Sequence, residues 1–238
     1  MPLQFAVQSL TGDAATVSVD VRRLYNFGYA GRDAASIQEH IDELVELGLP
    51  APGSVPALFP LPPRLATTDG VISVTGTDSY GEVEYAMIRA DDGQWYVTVA
   101  SDHSDFEIEK LSTSKSKTVY PDVVAGTVWP LAEVREGWDD LVLTNRRTDA
   151  DGTEVVQQSP VATLLPPEAL LSVLEERTGG EIPVGTIVLS GTVAGLPATG
   201  APSWEVSLED PIRGRSITLS YAVDQLLAEL VGAAARAS

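Results

Sequence analysis

Two carboxylates one residue apart, in Gly81-Glu82-Val83-Glu84-Tyr85, and a third in Ala100-Ser101-Asp102-His103-Ser104, are the residues of this chain best suited to chemistry. Val83, Ala86, Met87 and Ile88 favour an extended chain, and so do Trp95, Tyr96, Val97, Thr98 and Val99. Asp91-Asp92-Gly93 between them reads as a turn, so the pattern predicts two adjacent antiparallel strands. On a strand, residues i and i+2 share a face, which makes Glu82 and Glu84 project together. Asp102, expected just past the end of the partner strand, can join them. Three converging carboxylates repel one another unless a cation neutralises them, and a hard divalent ion with oxygen ligands does this best. The solvent face of an amphipathic strand would carry the same Glu-x-Glu pattern, so spacing alone leaves both readings open.

Other residues could serve such a centre. His40 and Glu43 stand three apart on a predicted helix and share a face. A glutamate that accepts from an imidazole fixes its tautomer, and the pair could activate water. The competing reading is an exposed pair on a helix rich in acids (Glu39, Asp42, Glu46). His103, the only other histidine, points away from Asp102 on an extended chain and reads as core or support. Lys115 lies in Ser112-Thr113-Ser114-Lys115-Ser116-Lys117-Thr118, and lysine is scarce: only Lys110, Lys115 and Lys117. A cation beside a developing enolate or oxyanion would stabilise it, whereas an exposed polar loop would need no such role. If that segment is extended, Lys117 faces away from Lys115. Gly191-Thr192 ends a buried strand, where a hydroxyl beside backbone amides could bind a carbonyl or merely form a tight turn.

The elements that must position these groups are readable in outline. Strands are expected over Leu3 to Gln8 and Ala15 to Arg22, joined at Thr11-Gly12-Asp13. A helix follows, with Ser36 and Glu39 as a capping box, an apolar stripe of Ile37, Ile41, Leu44 and Val45, and Gly48 as its stop. The proline-rich stretch 50–63 carries Val55, Leu58, Phe59 and Leu61, so it reads as ordered extended chain. Strands dominate from Val71 to about Gln157. A second helix starts at Pro167 and stops at Gly179-Gly180. Strands are expected from Ile187 and over Arg215 to Val223, and a short amphipathic helix from Asp224. The expectation is one α+β domain, 1–238, with a mixed, barrel-like or sandwich core. Net charge is −19, from 15 Lys and Arg against 34 Asp and Glu, which disfavours nucleic acid and anionic membranes as partners. No apolar run reaches membrane-spanning length. Cysteine is absent, which removes disulfide and thiolate chemistry. Met1-Pro2-Leu3-Gln4-Phe5 lacks the pattern of a signal peptide, so a cytoplasmic protein is expected.

Taken in order, the motifs resemble the fumarylacetoacetate hydrolase superfamily and, within it, the branch DUF2848, over about Tyr25 to Val223. Tyr25-Asn26-Phe27 through Arg32-Asp33, then His40-Ile41-Asp42-Glu43, is similar to the family's N-Y…H-x-x-E element, with an insertion. Gly81-Glu82-Val83-Glu84 resembles its E-x-E motif, Ser101-Asp102-His103-Ser104 its N-D-x-S motif and Lys115-Ser116 its K-S motif. Gly185 to Thr192 resembles G-D-x-I-x-x-G-T, with Thr186 in place of Asp. The resemblance implies a mixed β-roll or barrel-like sandwich with a few peripheral helices, usually a homodimer, binding a small-molecule substrate. It implies Mg²⁺ or Mn²⁺, with Ca²⁺ also compatible, on Glu82, Glu84 and Asp102. It further implies His40, Glu43 and Lys115 as catalytic groups, and Asn26, Ser116 and Thr192 against the substrate. The expected activity is hydrolysis of a carbon–carbon bond in a 1,3-dicarbonyl, acylpyruvate or related oxo-acid. A decarboxylase, a lyase or dehydratase acting on an oxo-acid or sugar acid, and a non-catalytic binding protein of the same fold are the alternatives. The chain departs where the family usually has Arg and Gln, here Phe106 and Glu109, so Phe106 is expected either to present an apolar wall to the substrate or, with the loop re-registered, to pack in the core. In the first case the substrate is expected to be neutral or apolar at that end, or another cation, from Arg22, Arg32 or Lys117, takes the place of the missing arginine.

Overall fold

The computed structural model describes residues 1–195 and 197–227. Its larger sheet has ten strands: β1 (Leu3–Gln8), β2 (Ala14–Val19), β3 (Arg23–Gly28), β4 (Ala57–Leu61), β5 (Ala66–Thr67), β7 (Ser79–Arg89), β8 (Trp95–Asp105), β9 (Asp122–Val124), β10 (Thr127–Pro130) and β13 (Thr186–Leu189). Their order is β2-β1-β10-β8-β7-β13-β3-β4, with β9 branching from β8 and β5 pairing with β9. The smaller sheet comprises β6 (Val71–Val74), β11 (Val142–Asp149), β12 (Gly152–Pro160), β14 (Ser203–Asp210) and β15 (Arg215–Gln225), in the order β12-β11-β14-β15-β6. Helices α1 (Ala34–Glu46), α2 (Phe106–Leu111), α3 (Thr113–Ser116), α4 (Leu131–Val134) and α5 (Pro167–Thr178) lie between strands. The fold is the mixed α+β arrangement of curled sheets with few helices expected from the sequence.

Strands β7 and β8 are buried on both faces, which is why their apolar run is nearly continuous. On one face Ala86, Ile88, Ala90 and Ala100 join Leu24, Ile187 and Leu189 in a core inside the curl of the larger sheet. On the other, Val83, Tyr85, Met87, Val97 and Val99 pack with Trp204, Val206 and Leu208 of the smaller sheet. Each large apolar side chain so buried contributes roughly 1.5–3 kcal/mol. At Gly81 the sheets pack too tightly for a side chain. A Cβ there would run into the Tyr221 hydroxyl and come within 2.7 Å of Ser101 Oγ.

Several local expectations need correction. Helix α1 begins two residues before Ser36. Asp33 is its N-cap, and its Oδ1 accepts from the Ser36 N–H at 2.8 Å and from the Ser36 hydroxyl, so that serine is not free to cap. Gly48, at φ +92°, follows the helix end as expected. Strand β2 stops at Val19 rather than Arg22. Strand β8 continues to Asp105, so Asp102 sits inside it rather than past its end. The 112–118 segment is not extended, because α3 makes a helical turn there. Strand β15 runs two residues beyond Val223, and the expected tail helix falls largely outside the described residues. Among the described residues no helix is long and apolar enough to cross a membrane.

Candidate metal centre and its cavity

The centre is built on the β7–β8 ladder, where Glu82 stands opposite Asp102 and Glu84 opposite Ala100. Ligand oxygens of Glu82, Glu84 and Asp102 all lie within 4.8 Å of one another. Glu84 is fully buried, Asp102 is 1% exposed, and the Glu82 side chain, 20% exposed, faces a cavity. Burial pushes the Glu82 carboxyl up to about 8 against the pull of Lys117, and it raises Glu84 well above the usual carboxylate range. Glu82 and Glu84 so placed favour their protonated forms unless a cation displaces the protons, and an all-oxygen donor set fits a hard ion such as Mg²⁺, Mn²⁺ or Ca²⁺.

Glu84 is held rigidly. Gly191 donates its N–H to Oε2 at 2.7 Å, and Asn26 donates from Nδ2 to Oε1 at 3.4 Å. The amide of Gly191 is turned to this carboxylate by a φ of +81°, and a side chain there would press on the Phe27 carbonyl at 3.0 Å. Asn26, expected at the substrate, is fully buried and donates to the Glu84 carboxylate.

The lysine expectation is reversed. Lys115 is exposed and points out of the α3 turn. Lys117, at the C-cap of α3 and 6% exposed, bonds Asp102 and lies 4.0 Å from Glu82. A helical turn in place of extended chain changes which lysine faces inward. Burial pulls the Lys117 amine down, but Asp102, Glu82, Glu84 and Glu109 more than compensate, so it stays charged well beyond its usual range. Ser116 is also not a cavity group. Fully buried, its hydroxyl accepts from the Asp105 N–H at 3.0 Å and donates to the Asp105 carbonyl at 2.8 Å, which fastens α3 to the end of β8.

The cavity, about 490 Å³, brings Glu82, Lys117, His40 and Thr192 together with apolar walls from Phe27 and Phe59. His40 Nδ1 lies 3.7 Å from Glu43 Oε2, so the pair is adjacent without a hydrogen bond. Thr192 donates to the Val83 carbonyl and accepts from Gln157 Nε2, both at 2.9 Å. Phe106 is outside the cavity. As the first residue of α2 it packs edge-on against Tyr80, ring centres 6.3 Å apart, with the Lys110 amine above it. One turn on, Glu109 is buried, lines the cavity and accepts from the Tyr80 hydroxyl. Burial raises the Glu109 carboxyl, while Lys117 and the Tyr80 bond hold it down.

Tyr29, a cavity residue that motif reading missed, is the only non-glycine with positive φ among the described residues, at +54°. Such a conformation costs roughly 1–2 kcal/mol. Burial, then Glu109 and Glu82, push its phenol up to about 12. His103 is buried away from the triad, as expected. Its Nδ1 meets the Tyr221 hydroxyl at 3.0 Å, and burial pulls the ring down to about 3.

Residues 27–221 match the family described as a protein of unknown function, DUF2848. The chain belongs to this family. No curated protein matches the DUF2848 chain in sequence. Among solved structures it is similar to 2-keto-3-deoxy-D-arabinonate dehydratase in its apo form, at 16% identity and TM-score 0.63, covering 90% of this chain and 77% of that one. The same dehydratase complexed with magnesium and 2,5-dioxopentanoate matches at 17% identity and TM-score 0.59, with coverages of 90% and 76%. Cg1458 matches at 16% identity and TM-score 0.56, with coverages of 90% and 80%. At these identities the likeness is one of fold.

Proposed function

We propose that this DUF2848 protein is a metal-dependent enzyme acting on a 1,3-dicarbonyl, acylpyruvate or related oxo-acid, and that it hydrolyses a carbon–carbon bond. The observation that carries the proposal is the convergence of three carboxylates, Glu84 and Asp102 buried and Glu82 half-buried, beside a cavity that also receives His40 and Lys117. Glu82, Glu84 and Asp102 would hold Mg²⁺, Mn²⁺ or Ca²⁺, which when bound polarises carbonyl oxygens. His40, with Glu43 beside it, takes a proton from water, whose oxygen adds to the substrate carbonyl. The carbon–carbon bond then breaks and the leaving carbon is protonated. Lys117, in the role first expected of Lys115, offers its remaining N–H to the developing oxyanion. Phe27 and Phe59 shield the substrate's carbon chain, and Thr192, fixed by Val83 and Gln157, lines the cavity beside it. The homodimer and the cytoplasmic setting expected from the sequence are part of this proposal.

Dehydration of an oxo-acid is the second reading, and the fold of a magnesium-binding dehydratase supports it at least as well. The same base would then take a proton from carbon, and no water would be consumed. Metal-loaded protein should be incubated with acylpyruvates, 1,3-diketones and 3-deoxy-2-oxo-acids in water enriched in heavy oxygen, with products read by mass spectrometry. Heavy oxygen in a new carboxylate supports hydrolysis. Loss of water without label supports dehydration, and loss of carbon dioxide supports decarboxylation. No turnover of any substrate would leave the non-catalytic binding protein.

A further inference from the structure

The short strand β9 carries a fourth carboxylate. It pairs antiparallel with β8 through Ala100↔Val124 and Ser101↔Val123, so the next rung sets Asp122 beside Asp102. Glu82 flanks Asp102 on the other side, from β7. Glu82, Asp102 and Asp122 therefore form one row across three neighbouring strands, and side chains in such a row share a face. Ala66 of β5 closes the far side of Asp122. Like charges set side by side on a sheet are destabilising, and a buried carboxylate without partners is more so.

Asp122 is 1% exposed, and no N–H or hydroxyl donor reaches either of its oxygens; the carboxyl beside it, within hydrogen-bond reach, is that of Asp102. The nearby donors are committed elsewhere. Lys117 and the Ser104 hydroxyl go to Asp102, and Asn26 Nδ2 and the Gly191 N–H go to Glu84. What the row lacks is a donor, not an acceptor. A hard ion on three carboxylates brings donors with it. Mg²⁺ is six-coordinate and dehydrates reluctantly, so it keeps several waters, and their hydrogens point away from the ion. Asp122 is not among the three residues whose oxygens cluster within 4.8 Å, which suits it to those waters rather than to the ion.

We propose that Asp122 is a fourth carboxylate of the metal centre, a positioning residue that accepts hydrogen bonds from water bound to a hard divalent cation. The proposal rests on the metal-dependent reading above and adds a residue to it. Groups that orient a metal's ligands in this way typically contribute 10–100-fold to its affinity.

The test is a calorimetric titration of the metal-free full chain with Mg²⁺ alone, for the native protein, Asp122→Asn and Asp122→Ala. Melting temperatures of the metal-free forms are measured alongside. The expected result is Mg²⁺ affinity reduced about tenfold or more in both variants. Their metal-free melting temperatures should be unchanged or higher, because each removes a buried carboxyl that no N–H or hydroxyl donor satisfies. Native affinity for Mg²⁺ in both variants would overturn the assignment. So would weaker affinity accompanied by lower metal-free melting temperatures in both, which is the mark of a structural residue. If one variant fails to fold, the other decides. Failure of the native protein to bind Mg²⁺ would instead overturn the metal-dependent reading itself.

Discussion

Replacing Lys117 with methionine removes the one amine that meets the carboxylate row and keeps the apolar stem. In the metal-free protein Lys117 bonds Asp102, which is 1% exposed, and lies 4.0 Å from Glu82. Removing one partner of a buried ion pair costs about 3–5 kcal/mol, because the other charge is left uncompensated. Here the cost falls at the lower end. Glu82, already raised to about 8, can take up a proton once the amine is gone, and its side chain keeps some solvent. A loss of about 3 kcal/mol at 2–4 °C per kcal/mol lowers the melting temperature of a chain this size by about 6–12 °C. The loss should shrink on acidification, as protonation substitutes for the amine. It should also shrink in saturating Mg²⁺, which supplies positive charge to the same carboxylates. In turnover, kcat should fall about 100-fold, with a smaller change in KM, since the amine acts on charge that develops in the transition state. Lys115→Met is the control. Lys115 is exposed, and its loss should change stability by no more than about 0.5 kcal/mol. The assay is thermal melting of both variants in EDTA and in Mg²⁺ at two pH values, followed by steady-state kinetics. A silent Lys117→Met, or a damaging Lys115→Met, would refute the placement of the cation.

Two further outcomes follow from the same geometry. His40→Ala should leave Mg²⁺ binding intact and cut turnover about 100-fold, with Glu43→Gln weaker in the same direction; near-normal turnover in His40→Ala would remove the base from the mechanism. In EDTA the protein should become more stable as pH falls from about 8 to about 5. Glu82 and Glu84 have raised folded values, so the folded state binds protons that the unfolded chain, with carboxyls near 4.3, releases. Saturating Mg²⁺ should flatten that slope, and a melting temperature that climbs with pH in EDTA would contradict the burial of this cluster.

The parts of the site carried by long strands were legible, because a period of two converts spacing directly into a shared face. Glu82 and Glu84 needed nothing more, and Asp91-Asp92-Gly93 was enough to bring Asp102 back to them. Only the end of β8 was misplaced: it continues to Asp105, where Asp105 caps α2 by accepting from the Ile108 N–H at 3.0 Å. Groups on short elements were harder to place. A four-residue helix buries too little to leave an apolar period, so nothing in Ser112 to Thr118 distinguishes extended chain from the α3 turn, and the choice between Lys115 and Lys117 depends on that difference. The same holds for α2, whose first residue, Phe106, packs outward on Tyr80 while Glu109, one turn on, enters the cavity. Asp122 was invisible because its strand has three residues and its partner is chosen by a branch in the sheet. At Asp33 and Ser36 two good caps compete three residues apart, and the carboxylate that accepts both Ser36 donors prevails. The division has a functional consequence. The rigid ladder sets the three converging carboxylates, while two short helical turns set the cation, Lys117, and the extra anion, Glu109. Sequence change in those turns would retune the cavity's charge while the backbone pairing of β7 with β8 stays in place.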